Sequence, residues 1–143
     1  MRISFTIPGP PQGKARPRVV RIKSGDSVSY NPDKTVAYEE LVRLRFHEAA
    51  KKAGLEKPCE VPVCMAIVAL FPIPKSTSKK RTAAMKRCEI LPTKKPDWDN
   101  IGKIICDALN GLAYKDDAQV VAASIRKQYT DGAGEVIVSI NEI

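Results

Sequence analysis

The stretch that decides the fold is Lys94-Lys95-Pro96-Asp97-Trp98-Asp99-Asn100-Ile101-Gly102-Lys103. Pro96 disfavours a helical conformation for the residue before it, so the chain enters this stretch in an extended form. Asp99 stands where the N-cap of a following helix belongs, and the helix is predicted over residues 100–112. Its apolar residues recur at spacings of three and four, which places them on one face; they are Ile101, Ile104, Ile105, Ala108, Leu109 and Leu112.

Strands are predicted on both sides of this helix. Residues 3–7 alternate between apolar and polar side chains, as in a strand with one buried face. Residues 61–71 are almost continuously apolar and rich in valine, which is typical of a central strand. After the helix, residues 119–129 and 135–141 predict two closing strands, joined by the turn residues 131–134.

The remaining elements are a hairpin and two further helices. Residues 19–22 and 27–30 flank a turn and predict the hairpin. A helix starts at residues 31–33, shows helical spacing of its apolar residues over 36–53 and ends at Gly54. A shorter helix over residues 79–86 begins after Ser76 or Thr77 as its cap. The sequence therefore predicts one α/β (α+β) domain over residues 1–143, with a mixed sheet and about three helices.

The charge of the chain indicates a polyanionic partner. Lysine and arginine number 24 against 16 acidic residues, giving a net charge of +8. The basic residues are concentrated at residues 14–23, 75–87 and 94–95. No apolar stretch is long enough to cross a bilayer and no signal peptide is evident, so we expect a cytoplasmic protein. The four cysteines lack the spacing of a zinc site.

Acidic residues form two groups around the predicted helix. In an extended chain Asp97 and Asp99 point the same way and can share a ligand, while Lys103 lies one helical turn beyond Asp99. Asp116 and Asp117 follow in the turn after the helix, from which the chain returns towards the sheet. Carboxylates gathered in this way need a compensating cation, and oxygen ligands suit Mg²⁺ or Mn²⁺.

Each of these acidic features also has a purely structural interpretation. Asp99 can serve only as a helix cap, and Asp99, Lys103 and Asp107 can form an ordinary row of ion pairs on one helix face. Asp116 and Asp117 can occupy a solvated turn. Trp98 points away from its two aspartate neighbours in an extended chain, and we predict that it belongs to the core rather than to a platform on which bases stack. The residues alone leave these alternatives open.

Several stretches of the chain together carry a recognisable pattern. They are Lys95-Pro96-Asp97-Trp98-Asp99-Asn100-Ile101-Gly102-Lys103, Asp107-Ala108-Leu109-Asn110-Gly111 and Tyr114-Lys115-Asp116-Asp117-Ala118-Gln119-Val120. This pattern resembles the signature of the RusA family of Holliday junction resolvases. The resemblance extends to further segments in the family's order; these are Pro8-Gly9-Pro10-Pro11, Lys14, Arg16-Pro17-Arg18, Pro72-Ile73-Pro74-Lys75-Ser76 and Lys79-Lys80-Arg81.

The resemblance implies a homodimeric endonuclease that cuts four-way DNA junctions symmetrically with Mg²⁺, for which Mn²⁺ can substitute, and without an organic cofactor. It implies that Asp97, Asp99 and Asp117 bind the metal, with Asp116 beside them, and that Lys103 assists catalysis. The DNA-binding residues that it implies are Lys14, Arg16, Arg18, Lys75, Lys79, Lys80 and Arg81, to which the basic segment beside the acidic stretch adds Lys95. A bacterial origin, through a prophage, also follows from the resemblance.

Three other functions compete with junction resolution. A metal nuclease that acts on flaps or forks would use the same active-site residues. A non-catalytic nucleic-acid-binding module would use the basic segments alone, and its binding would depend strongly on salt. A small-molecule phosphatase would explain the carboxylates but would leave the basic segments without a role.

Overall fold

A four-stranded sheet forms the centre of the protein in our computed structural model, which describes residues 1–143. Its spatial order is β1 (Arg2–Pro8), β6 (Glu135–Glu142), β4 (Val63–Pro72) and β5 (Val120–Thr130). β6 is antiparallel to both β1 and β4, whereas β4 and β5 are parallel. The last two strands of the chain are therefore not paired with each other, because β4 lies between them.

Two helices cover one face of this sheet. α1 (Asp33–Ala53) packs against β1 and against α3 (Trp98–Leu109), and α3 also contacts β5. Alternate residues of three strands point into the layer between sheet and helices, where they meet the apolar stripe of α3. The strand residues of this core are Ile3, Phe5, Ile7, Val63, Met65, Ile67, Ala69, Val136, Val138 and Ile140.

The other elements lie outside this two-layer body. α2 (Lys79–Lys86) follows β4 and begins after Ser78, whose hydroxyl accepts a hydrogen bond from the Arg81 backbone N–H. A separate hairpin of β2 (Arg18–Arg21) and β3 (Ser27–Tyr30) has every residue exposed. A short 3₁₀ helix (Asp117–Gln119) connects α3 to β5. None of the helices combines the length and the apolar character needed to cross a membrane.

The predicted fold class is confirmed: a mixed sheet, three helices and a two-stranded hairpin make an α+β fold. α1 begins at Asp33, within the residues 31–33 where the start was predicted, whereas the cap of α2 is Ser78 rather than Ser76 or Thr77. The four cysteines are free thiols.

The position of α3 corrects two predictions. The helix begins at Trp98 and ends at Leu109, so Asp97 rather than Asp99 is the N-cap residue. It ends early because Asn110 adopts an extended conformation and Gly111 has a positive φ of 79°. The prediction that Trp98 belongs to the core is also wrong. The residue is 63% exposed, although Ile101, three residues further along the same helix, is fully buried.

Candidate active site

The beginning of α3 presents two carboxylates to solvent. Asp97 occupies the N-cap position, but its side chain accepts no capping hydrogen bond. Asp99 lies in the first helical turn, and both residues are exposed. The expectation that both stand in an extended segment is wrong, since Asp99 is already helical. Neither carboxylate forms an ion pair with a lysine or arginine of this chain, so their oxygens are free to bind a ligand.

The second acidic pair follows α3, and its two members have different surroundings. Asp116 caps the 3₁₀ helix by accepting a hydrogen bond of 3.0 Å from the Ala118 backbone N–H, which lowers the pKa of its carboxyl group. The Asp117 backbone N–H donates to the Asn110 side-chain oxygen at 3.0 Å. A side-chain hydrogen bond with Asp116 raises the pKa of Asp117, and burial and the repulsion between the two charges raise it further.

Lys103 and Asp107 connect this acidic pair to α3. The Lys103 ammonium lies 3.7 Å from a carboxylate oxygen of Asp107, one turn further along the helix, and makes no ion pair with Asp99. After Asp116, the charge of Asp107 also raises the pKa of Asp117, whereas that of Lys103 lowers it. Asp117 therefore lies within electrostatic reach of both side chains.

A mostly buried ion network continues from Asp107 into the protein. The Lys14 ammonium lies 3.4 Å from Asp107 and 2.5 Å from Glu39, which in turn accepts a hydrogen bond of 3.2 Å from Arg43. The Lys14 and Glu39 side chains are only 14% and 9% exposed. Burial by itself lowers the pKa of Lys14, but its ion pairs with Glu39 and Asp107 outweigh this effect and raise it.

Glu39 was not predicted from the sequence, although a signal for its burial exists. It lies three residues before Val42 and seven before Phe46, so it shares the buried face of α1 with them. A carboxylate on that face needs a cation as its partner, and Lys14 supplies it. Lys14, predicted as a DNA-binding residue, is thus engaged in an internal contact.

A basic groove runs from the N-terminal loop to the beginning of α3. Its volume is about 750 Å³, and Asp97 and Asn100 lie at its wall with Pro96. The basic residues that line it are Lys14, Arg16, Arg18, Lys34 and Lys95. Lys34, which belongs to the first turn of α1, was not predicted from the sequence as a DNA-binding residue. One carboxylate among so many cations makes the groove an attractive path for a phosphate backbone.

The N-terminal loop contacts the beginning of α3 closely at one wall of the groove. The Lys14 backbone N–H donates to the Asn100 carbonyl at 3.0 Å. A Cβ on Gly13 would stand 2.9 Å from the Pro96 Cβ and 3.0 Å from the Asn100 Cβ, so only glycine allows this approach. The loop, the acidic stretch and α3 therefore form one structural unit.

The chain is similar to known proteins over nearly its whole length. The family model described as endodeoxyribonuclease RusA matches residues 8–141, nearly the whole chain. The chain belongs to the RusA family. It is also 37% identical over 131 residues to a protein of Bacillus subtilis strain 168 described as uncharacterized protein YqaN, an alignment that covers 90% of this chain and 89% of that protein.

Membership of the RusA family accounts for the combination of a basic groove with acidic side chains. The family consists of endodeoxyribonucleases, enzymes that hydrolyse phosphodiester bonds within DNA, and it is one of Holliday junction resolvases. The matched residues include both acidic groups, Lys103 and the whole groove.

The acidic residues of this RusA-family protein suit a divalent cation by their chemistry. Asp97 and Asp99 offer carboxylate oxygens without a protein partner, and Asp117 stands beside another negative charge that disfavours its ionisation. Such oxygens match the preference of Mg²⁺ and Mn²⁺. The structure does not gather three acidic, histidine or cysteine side chains closely enough to hold an ion without movement. Side-chain rotation towards a common point is therefore required for all three to bind one ion.

The other predicted DNA-binding residues of this RusA-family protein lie outside the groove. Lys75 precedes α2, and the rest belong to its first turn; all of them are exposed, and they are Lys75, Lys79, Lys80 and Arg81. They form a second basic surface, which does not contribute to the lining of the groove.

Proposed function

We propose that this RusA-family endonuclease resolves four-way DNA junctions by metal-dependent, symmetric hydrolysis of two phosphodiester bonds. The proposal includes Mg²⁺ as its metal, with Mn²⁺ as a substitute, and a homodimer as its active form. We place it in the recombination and repair of bacterial or prophage DNA. The observation that carries the proposal is the placement of Asp97, Asp99 and Lys103 at the beginning of α3, with Asp117 within electrostatic reach of Lys103, beside a basic groove whose wall includes Asp97.

The proposed metal ligands are Asp97, Asp99 and Asp117, with Asp116 in a supporting position. A bound divalent cation would supply an activated water and would stabilise the charge on the leaving 3′ oxygen. Asp97 and Asp99 support this assignment because their carboxylates have no other partner. Asp116 uses one carboxylate oxygen to cap the 3₁₀ helix, which supports a structural part for it beside Asp117.

Lys103 is proposed to stabilise negative charge on the phosphate that is cut. Its side chain is 62% exposed and reaches the same region as Asp117 and Asp107. A fixed ammonium beside developing charge lowers the barrier without a proton transfer. Asp107 holds this ammonium at 3.7 Å and is itself held by Lys14, so the ion network supports an ordered position for Lys103.

The basic residues are proposed to bind the DNA backbone on two surfaces. Arg16, Arg18 and Lys95 line the groove that leads to Asp97, where their charges favour a phosphate path towards the carboxylates. The exposed residues around α2 would bind a second segment, and they are Lys75, Lys79, Lys80 and Arg81. We propose a structural part in the groove for Lys14, since its ammonium is paired with Glu39 and Asp107.

A homodimer is proposed because the substrate has two-fold symmetry. Two identical active sites related by a dyad can cut opposing strands of a four-way junction at equivalent positions. The exposed hairpin of β2 and β3 is one candidate for the contact between protomers, since its valine side chains are uncovered.

The test is cleavage of a synthetic immobile four-way junction beside a linear duplex and a flapped duplex of the same sequence. Each substrate would be incubated with Mg²⁺, with Mn²⁺ or with EDTA, and the products mapped on a denaturing gel. Asp99→Asn serves as the inactive variant, and Lys52→Gln, an exposed change in the last turns of α1, as a matched control. Light scattering on the same samples gives the mass in solution.

The proposal predicts paired nicks at symmetric positions in the junction only, which require a divalent ion and are lost in Asp99→Asn. Equal cutting of the flapped duplex would replace junction resolution by a broader nuclease on branched DNA. Tight binding of the junction without cleavage in either metal would leave a DNA-binding protein and overturn the enzymatic proposal.

A further inference from the structure

We propose that Trp98 stacks on an unpaired nucleobase beside the bond that is cut, and that this contact favours branched DNA over linear duplex. The inference rests on the proposed function and adds to it a residue that determines specificity. It starts from the position of Trp98 as the first residue of α3, directly between Asp97 and Asp99.

The exposure of Trp98 has no explanation within the fold of one chain. Ile101, Gly102 and Ile105 follow it by three, four and seven residues, so Trp98 is in phase with the buried stripe of α3. Those three residues are buried, whereas Trp98 is 63% exposed. The stripe therefore continues for one turn beyond the core and ends in a large aromatic side chain that remains in contact with water.

No aromatic ring and no cation of the chain stacks on the indole. The aromatic contacts in the protein are those between Phe5, Phe46 and His47, and the one cation over a ring is Lys127 over Phe71. An uncovered tryptophan of this size is unusual on a surface without a binding partner. Its position suits a ligand that approaches the carboxylates of Asp97 and Asp99.

The chemistry around Trp98 selects a nucleobase as that ligand. Asp97 and Asp99 repel a phosphate from the indole itself, whereas the ring offers an apolar face. Lys95, Pro96 and Asp97, the residues that directly precede Trp98, line the basic groove, so a DNA backbone bound there lies close to Trp98. A base has a flat π face, and stacking on an aromatic side chain tolerates any sequence.

Stacking of this kind distinguishes branched from linear DNA. In a linear duplex every base already stacks on both neighbours, so contact with Trp98 requires the base to leave the helix at a cost. At a branch point the stacking is interrupted and the cost is smaller. We therefore expect Trp98→Leu to weaken binding of a four-way junction about 10- to 100-fold, with no comparable loss for linear duplex.

The experiment uses the fluorescence of Trp98, which is the one tryptophan in the chain. The full-length protein in EDTA would be titrated with the four-way junction and with linear duplex, and its emission followed together with binding by anisotropy of labelled DNA. Trp98→Leu removes the ring and Trp98→Phe restores a smaller one. Leu44→Ala is the control, because it removes another exposed apolar side chain, 54% exposed, from α1.

The inference predicts quenching by the junction well beyond that by duplex. It also predicts a junction-specific loss of affinity in Trp98→Leu, a partial recovery in Trp98→Phe and an unchanged ratio of junction to duplex affinity in Leu44→Ala. Unchanged emission on junction binding would overturn the inference about Trp98, and so would a normal junction preference in Trp98→Leu. In either case the proposed function would stand if the protein still cleaved the junction. An emission that is already blue-shifted without DNA, with Trp98→Leu becoming monomeric, would assign Trp98 to a protomer contact instead. A wild-type protein that neither binds nor cuts branched DNA would overturn the proposed function and this inference together.

Discussion

Adjacent aspartates in this protein have unequal surroundings, and the difference assigns them different parts. Asp116 gives an oxygen to the Ala118 backbone N–H and completes a capping box with Gln119, so its side chain maintains the turn. The Asp117 side chain caps nothing and faces Lys103 and Asp107 across the beginning of the turn. The sequence presents the two as an equivalent pair, and only the geometry of the turn separates them.

Asp116→Asn and Asp117→Asn are therefore expected to differ in activity. Asparagine caps helices as well as aspartate does, so Asp116→Asn keeps the turn and should reduce junction cleavage by no more than about tenfold. Asp117→Asn removes a proposed metal ligand and should reduce cleavage about 100-fold or more. Single-turnover rates with saturating Mg²⁺ measure both, and equal losses in the two variants would contradict the assignment.

The ion pair of Lys14 and Glu39 is expected to stabilise the fold as well as position the loop. Lys14→Met leaves a mostly buried carboxylate with Arg43 as its one cation, and should lower the free energy of unfolding by about 3 kcal/mol. The double variant Lys14→Met/Glu39→Leu removes both charges and should recover part of that loss. Urea unfolding followed by circular dichroism gives these values.

The exposed pair of Arg87 and Glu89 provides the control for this double-mutant cycle. Its ions lie 2.9 Å apart but both side chains are more than half exposed, so solvent screens their attraction. Arg87→Met should leave the unfolding transition unchanged. A Lys14→Met variant that is no less stable than Arg87→Met would show that the internal network contributes nothing to stability.

At the level of elements, the sequence predicted what depends on local pattern. The stripe of α3, the alternation of β1 and the apolar run of β4 each follow from the spacing of neighbouring residues, and all three are confirmed. The insertion of β4 between β5 and β6 depends on contacts between distant segments. The exposure of Trp98 likewise depends on where the covering elements end, and helical phase alone gives the opposite result.

The contact of the N-terminal loop with α3 is tested by the substitution Gly13→Ala. The added Cβ would meet the Cβ atoms of Pro96 and Asn100 at 2.9 and 3.0 Å, so the loop must move away from the active site. We expect junction cleavage to fall about 10- to 100-fold, because small displacements of a binding element have effects of this size. Single-turnover rates and melting temperatures would be measured together.

Gly102→Ala is the matched control, since it adds the same methyl group on α3. Its Cβ would meet the Ile125 Cδ1 atom at 2.7 Å, the end of a flexible side chain that can move. Alanine also favours the helix over glycine, which offsets the contact. If Gly13→Ala cleaves as fast as Gly102→Ala, the loop and the helix do not act as one unit.

The whole molecule combines a net charge of +8 with an uneven distribution of that charge. Five basic residues line one groove, whereas the acidic residues of the proposed active site lie at the beginning of α3 and in the turn after it. Binding of DNA by such a surface releases counterions and must weaken as salt increases. The position of the groove, rather than the total charge, should then decide which lysines and arginines contribute.

The salt dependence of junction binding tests this distribution directly. Arg16→Gln/Lys34→Gln removes two positive charges from the groove. The negative slope of log K against log salt should become less steep by about two, since each lost phosphate contact contributes about one. Arg2→Gln/Lys52→Gln removes the same charge from a separate cavity between β1 and α1, and should leave the slope nearly unchanged. Anisotropy titrations in EDTA between 50 and 300 mM salt, roughly the range over which such slopes are linear, measure both. Equal changes in the two double variants would mean that total charge alone attracts the DNA, and that the groove is not its path to Asp97.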